Sequence, residues 1–142
     1  MAKTYQTFDD VYTVFMDTTK VDEWQLPRTP EGMYALVEHG VNRYLDEFDD
    51  AKEVEFDRET ELFSTELERE DVRLIVSFMR LNIFQKQNEE FVSTYDVLMD
   101  DLGVRNYKSQ ADARRLIIEH EEHEIKQMLL KMTDSFDVID DM

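Results

Sequence analysis

Two histidines three residues apart, His120 and His123, lie among four glutamates in the stretch LIIEHEEHEIKQ, residues 116–127. Imidazole and carboxylate groups are the usual protein ligands of zinc. A structural zinc site uses four such ligands and a catalytic one uses three plus water. The zincin spacing H-E-x-x-H fails, because a single residue separates the first glutamate after His120 from His123. The di-iron spacing E-x-x-H also fails, because the residue three before His120 is Ile117. We therefore predict no metal ion and no cofactor.

A solvated helix face explains the same stretch better. Several of its acidic and basic side chains are spaced i, i+4, and Glu122 with Lys126 forms a well-oriented pair. The apolar stripe beside His120 consists of Ala113, Leu116 and Ile117. His120 is thus predicted to lie at the boundary between that stripe and the charged face.

Other catalytic chemistry has little support in this sequence. There is no cysteine to act as a nucleophile, and three glycines are too few for a phosphate-binding loop. No serine stands in a nucleophile-elbow context. Residues 46–71 are rich in carboxylates, but the segment lacks the central glycine of a calcium-binding EF-hand loop. The sequence therefore predicts a protein that is not an enzyme.

The charge of the chain is strongly negative and unevenly distributed. Its 142 residues carry a formal net charge of −18. Residues 46–71 hold thirteen acids and three bases, and residues 134–142 hold four aspartates and no base. Nucleic acid and anionic membranes should repel such a chain. The polar start MAKTYQTFDD argues against a signal peptide, so a reducing cytoplasm is the expected place of folding.

Hydrophobic periodicity predicts a mainly α fold, a helical bundle of four to five helices. Thr7 is expected to cap a first helix, and Thr29-Pro30-Glu31 has the pattern of a second helix start. Residues 52–67 alternate polar and apolar, which indicates a short extended segment or β-hairpin. A mostly buried helix is expected from about Glu68, with a break near QKQNEE and a further piece ending at Gly103.

A capping-box pattern at Ser109 predicts the last helix, residues 109–132. We expect one helical domain, residues 1–132, followed by an extended acidic arm, residues 133–142. Apolar residues among aspartates suit docking of this arm on a partner, as an added strand for example. The predicted interface residues are Trp24, Val54, Phe56, Phe136, Val138 and Ile139.

The stretch ELFSTELEREDVRLIVSFMRLNIF, followed by YKSQADARRLI, resembles the head–tail connector, or neck adaptor, proteins of tailed bacteriophages. The matched features are Phe63, Leu67, the acidic helix start at Glu70-Asp71, and an apolar helix centred on Met79. A charged final helix opens at SQA. The resemblance covers about residues 55–130. It departs from the family at Glu68, where a Ser or Thr cap would be expected.

This resemblance implies a structural virion protein without enzymatic activity. Such adaptors are helical, form a ring that is usually twelvefold below the portal, and extend the DNA channel. They are assembled in the host cytoplasm, end up in the neck of the virion, and give tail or later neck proteins a docking surface. The implied partners are the chain itself, the portal protein and the downstream neck or tail proteins, with no membrane. DNA would pass through the channel without specific binding, because channel-facing acids repel phosphates.

A protein of another class could share this composition. A small, acidic, cysteine-free protein can imitate the charge of DNA and inhibit a host nuclease or polymerase. Such a mimic should spread its acids over one folded face. Here the acids concentrate in residues 46–71 and 134–142, and that distribution favours the adaptor.

Overall fold

The computed structural model describes residues 5–19, 26–48, 56–57, 59–60, 62–102 and 104–140. For residues 6, 48, 64–66, 94–102, 104–107 and 133–140 it describes the backbone only. The elements in chain order are β1 (Tyr5–Thr7), α1 (Phe8–Thr18), α2 (Pro30–Phe48), β2 (Phe56–Asp57), β3 (Leu62–Leu67), α3 (Arg69–Leu102) and α4 (Val104–Asp140). The predicted mainly α fold with a short strand segment is confirmed.

Contacts between residues divide the chain into two compact units, Met1–Arg80 and Leu81–Met142. We call them the N-terminal unit and the C-terminal unit. The boundary falls inside α3, so a single helix contributes residues to both. Since a compact unit is not by itself an independently folding domain, the expected division into a domain 1–132 and an arm 133–142 stays a prediction.

The helix starts of the N-terminal unit follow the predicted capping. The Thr7 hydroxyl accepts a hydrogen bond from the Asp10 amide at 3.0 Å. In return, the Asp10 carboxylate accepts one from the Thr7 amide at 3.2 Å. At the start of α2, the Thr29 hydroxyl accepts from the Gly32 amide at 3.1 Å. These bonds satisfy amides that have no partner within their helix.

The strands form one antiparallel sheet in the order β1-β3-β2. Phe56 and Asp57 of β2 pair with Phe63 and Leu62 of β3, which is the predicted hairpin. The sequence pattern gave no sign of β1. It adds to the other side of β3, with Tyr5 opposite Leu67. Three residues are too few to produce a recognisable alternation of polar and apolar side chains.

The core of the N-terminal unit is built from aromatic and aliphatic side chains around Phe8. The Phe8 ring lies 5.1 Å from that of Phe63, 5.6 Å from that of Phe56 and 5.8 Å from that of Tyr34, measured between centroids. The apolar residues of α1 at helical spacing are buried, as are the residues of α3 that precede Arg80 and face inward. The sheet, α1, α2 and the first part of α3 therefore share one interior.

Gly40 allows α2 and α3 to approach closely. A methyl group at this position would lie 2.7 Å from Cγ of Met79 and 2.8 Å from the carbonyl oxygen of Ile75. Both distances are shorter than van der Waals contact, so a side chain here would push the helices apart. The glycine is needed for the space and not for an unusual backbone conformation.

Three predictions about the helices were wrong. α3 is continuous through QKQNEE, because Gln, Lys and Glu are good helix formers and polarity alone does not end a helix. α4 begins at Val104, directly after Gly103, so Ser109 lies inside the helix rather than at its start. The arm expected to be extended is helical as far as Asp140. Residues 133–140 contain no Gly or Pro, and extending an existing helix costs much less than starting one.

Candidate interaction surface

A buried hydrogen bond joins α2 to the start of α3. The Tyr44 hydroxyl donates to Oδ1 of Asp71 at 2.6 Å, and both side chains are buried. The other carboxylate oxygen, Oδ2, accepts from the Glu68 amide at 3.3 Å. The Asp71 side chain therefore caps the start of α3, a role that the Glu68 side chain does not fill. Burial raises the pKa of Tyr44 well above its ordinary value, and the hydrogen bond and the charges of Asp71 and Glu68 act in the same direction.

Two arginines, Arg43 and Arg80, make polar contacts with residues of α3 or from it. Arg80 donates to the Thr18 hydroxyl at 2.9 Å and to the Ser77 hydroxyl at 3.0 Å. The guanidinium of Arg43 lies 5.3 Å from the centroid of the Phe78 ring, within the range of a cation–π contact. These polar contacts link α1, α2 and α3 within the N-terminal unit. They are structural and do not form a reactive constellation.

The predicted absence of a metal site can be compared with the described residues only. Among them no group of three or more His, Asp or Glu side chains could hold a metal ion. His120 and His123 lie on α4 and are exposed. Within the part of the chain that the structure describes, no helix has the length and apolar character needed to cross a membrane.

The buried face of α4 is not the stripe that the sequence pattern singled out. Glu121, Ile125 and Met132 are buried, whereas Leu116 is 60% and Ile117 49% exposed. Leu116 and Ile125 are nine residues apart, or two and a half turns, so they lie on opposite sides of the helix. Ala113, the third member of the stripe, is exposed too. His120 therefore borders an apolar surface that faces solvent and not the interior.

A seven-residue spacing could have identified the buried face. Ile118, Ile125 and Met132 repeat at exact heptad intervals, which is the pattern of a helix packed along one partner helix. Arg114 belongs to the same side of α4, and its guanidinium lies 4.7 Å from the centroid of the Phe91 ring of α3. That contact fixes α4 against the second part of α3 within the C-terminal unit.

Most of the predicted interface residues cannot be compared with the structure. Trp24 and Val54 lie outside the described residues. Phe136, Val138 and Ile139 belong to the helical end of α4, where only the backbone is described, and a helix cannot dock as an added strand. Phe56 is half-buried and contacts Phe8, so part of its ring already serves the core. Its role in an interface stays a prediction.

The described acids of residues 46–71 are mainly on the surface. Asp46 and Glu47 lie in the last turn of α2, Asp57 is on β2, and Glu68 and Glu70 flank the start of α3; all five are exposed. Asp71 is buried instead, in its bond with Tyr44. The N-terminal unit therefore carries a solvent-facing acidic surface.

Comparison with known proteins finds relatives of prophage origin. A family model described as YomZ prophage protein matches residues 5–134. The SPbeta prophage-derived protein YomZ of Bacillus subtilis (strain 168) is 18% identical over 124 residues, which are 87% of this chain and 93% of that protein. No solved structure matches the chain.

Proposed function

The chain belongs to the YomZ prophage protein family, and from that premise we propose that it is a structural virion protein of a tailed phage. Its proposed role is that of a head–tail connector, or neck adaptor. Copies of the chain would form a ring below the portal, extend the DNA channel and provide a docking surface for neck or tail proteins. Prophage origin supports a phage role in general, and the sequence resemblance supports this particular one.

The observation that carries the proposal is the exposed apolar surface of α4. Leu116 and Ile117 are adjacent, large and exposed, in a chain with a net charge of −18. Contiguous apolar surface on a soluble protein is typical of an interaction site. A subunit that functions by assembly needs such a surface, whereas a protein acting alone has no use for it.

The acidic surface of the N-terminal unit fits the proposed channel. Exposed carboxylates such as Asp46, Glu47 and Glu70 would repel the phosphates of passing DNA. A wall of this charge keeps the DNA from binding to the conduit. If a reconstruction of the neck placed residues 46–71 on the outside of the ring, this part of the proposal would be wrong.

A DNA mimic is less well supported by the distribution of charge. Residues 104–118 contain Arg105, Lys108, Arg114 and Arg115 against the single acid Asp112, a net charge of +3. A protein that imitates DNA gains nothing from a basic stretch on one of its helices. We therefore retain the adaptor as the proposed function.

Immunogold electron microscopy of particles released after prophage induction tests the proposal. We expect label at the junction of head and tail, in particles from the lysogen that encodes the chain. A lysogen deleted for the gene is the matched control, and it should yield unlabelled heads without attached tails. Complete, infectious particles from the deletion strain, or capture of a host nuclease by a chain absent from particles, would overturn the adaptor role.

A further inference from the structure

We draw no further inference here: the strongest candidate, the exposed apolar surface around Leu116 and Ile117 on α4, carries none, because nothing in the structure shows what covers it.

Discussion

Phe8, Phe15 and Val41 are completely enclosed in the N-terminal unit, while Leu116, Ile117 and Leu130 of the C-terminal unit are about half exposed. The largest fully buried side chains among the described residues all belong to the N-terminal unit, whose exposed exceptions are Met16 and Leu62. Apolar side chains that are enclosed stabilise the fold, and those left in water favour association. The comparison therefore predicts that substitutions in the N-terminal unit mainly change the stability of the fold, whereas substitutions on the exposed face of α4 mainly change association.

The largest effect should come from the centre of the N-terminal core. Phe8→Ala removes a ring that contacts Tyr34, Phe56 and Phe63, and a buried Phe→Ala substitution lowers the free energy of unfolding by about 3–5 kcal/mol. Leu116→Ala on the exposed side of α4 should change it by less than about 0.5 kcal/mol. Urea unfolding followed by circular dichroism measures both. Equal losses would remove the distinction between the units.

The next effect tests the buried hydrogen bond. Tyr44→Phe removes the donor to Asp71 without removing the ring, so the carboxylate loses a partner inside the protein. Leaving a buried polar group without its partner costs about 1–3 kcal/mol in the free energy of unfolding. Thr13→Val, which removes an exposed hydroxyl bonded to the Asp9 carbonyl, is the control and should cost clearly less. A Tyr44→Phe variant as stable as the natural chain would show that the bond contributes nothing net.

The raised pKa of Tyr44 predicts how stability changes in alkaline solution. Its folded pKa lies above the ordinary value near 10, so its contribution is complete below about pH 10 and is lost as the pH rises further, because only the unfolded chain releases the proton. The slope for one such group is about 1.4 kcal/mol per pH unit. Burial also raises the pKa of Tyr12, which acts in the same direction. Urea midpoints measured from about pH 9 to 11 should fall less steeply in Tyr44→Phe than in the natural chain.

A smaller loss is expected where α2 meets α3. Gly40→Ala places a methyl group 2.8 Å from the Ile75 carbonyl oxygen. This overpacking should lower the free energy of unfolding by about 1–3 kcal/mol. The better helix propensity of alanine should raise it by about 1 kcal/mol. The net decrease in the free energy of unfolding should be near 1 kcal/mol. Gly32→Ala on the same helix meets its nearest atom at 3.1 Å and is the control. If Gly40→Ala were the more stable of the two, the close helix contact would be wrong.

The smallest effect on stability should accompany a clear effect on association. Arg115→Gln breaks two exposed ion pairs of α4, which together contribute less than about 1 kcal/mol to the free energy of unfolding. The same substitution removes the cation next to the exposed Leu116 and Ile117 and should weaken the proposed assembly of copies, which light scattering measures. A variant that unfolds more easily but associates normally would reverse the assignment of functions to the two units.

Local signals in the sequence were sufficient for the helix starts and the β2–β3 hairpin of the N-terminal unit, but not for β1. Thr7 with Asp10 specifies a helix start through side chains that reach only a few residues, so the capping was predictable. The apolar residues of α1, Phe8, Val11, Tyr12 and Phe15, recur at helical spacing, and these are the residues that are buried. β1 was missed because its pairing with β3 depends on residues some sixty positions away.

The interaction surface could be predicted only in part. α4 carries two apolar stripes, one through Leu116 and Ile117 and one through Ile118, Ile125 and Met132. Either could have faced the interior, and the choice depends on which stripe fits α3. Leu62 and Phe63 pose the same problem on a strand, since pairing register decides which of two neighbours points outward. In both elements, packing against the neighbouring element decides which apolar residues are buried, and the periodicity of the sequence does not.

The sheet order also constrains when the protein can fold during synthesis. Both β1 and β2 pair with β3, whose last residue is Leu67, and β1 ends at Thr7. A ribosome-bound chain that has not yet exposed β3 can form α1 and α2, but none of the described strand pairs can exist. Closing a loop from Tyr5 to Leu67 is slow compared with forming a helix. β1, the first strand to be translated, therefore stays unpaired until β3, the last, has left the ribosome. The Phe8 core is completed only when the start of α3 is already emerging from the ribosome.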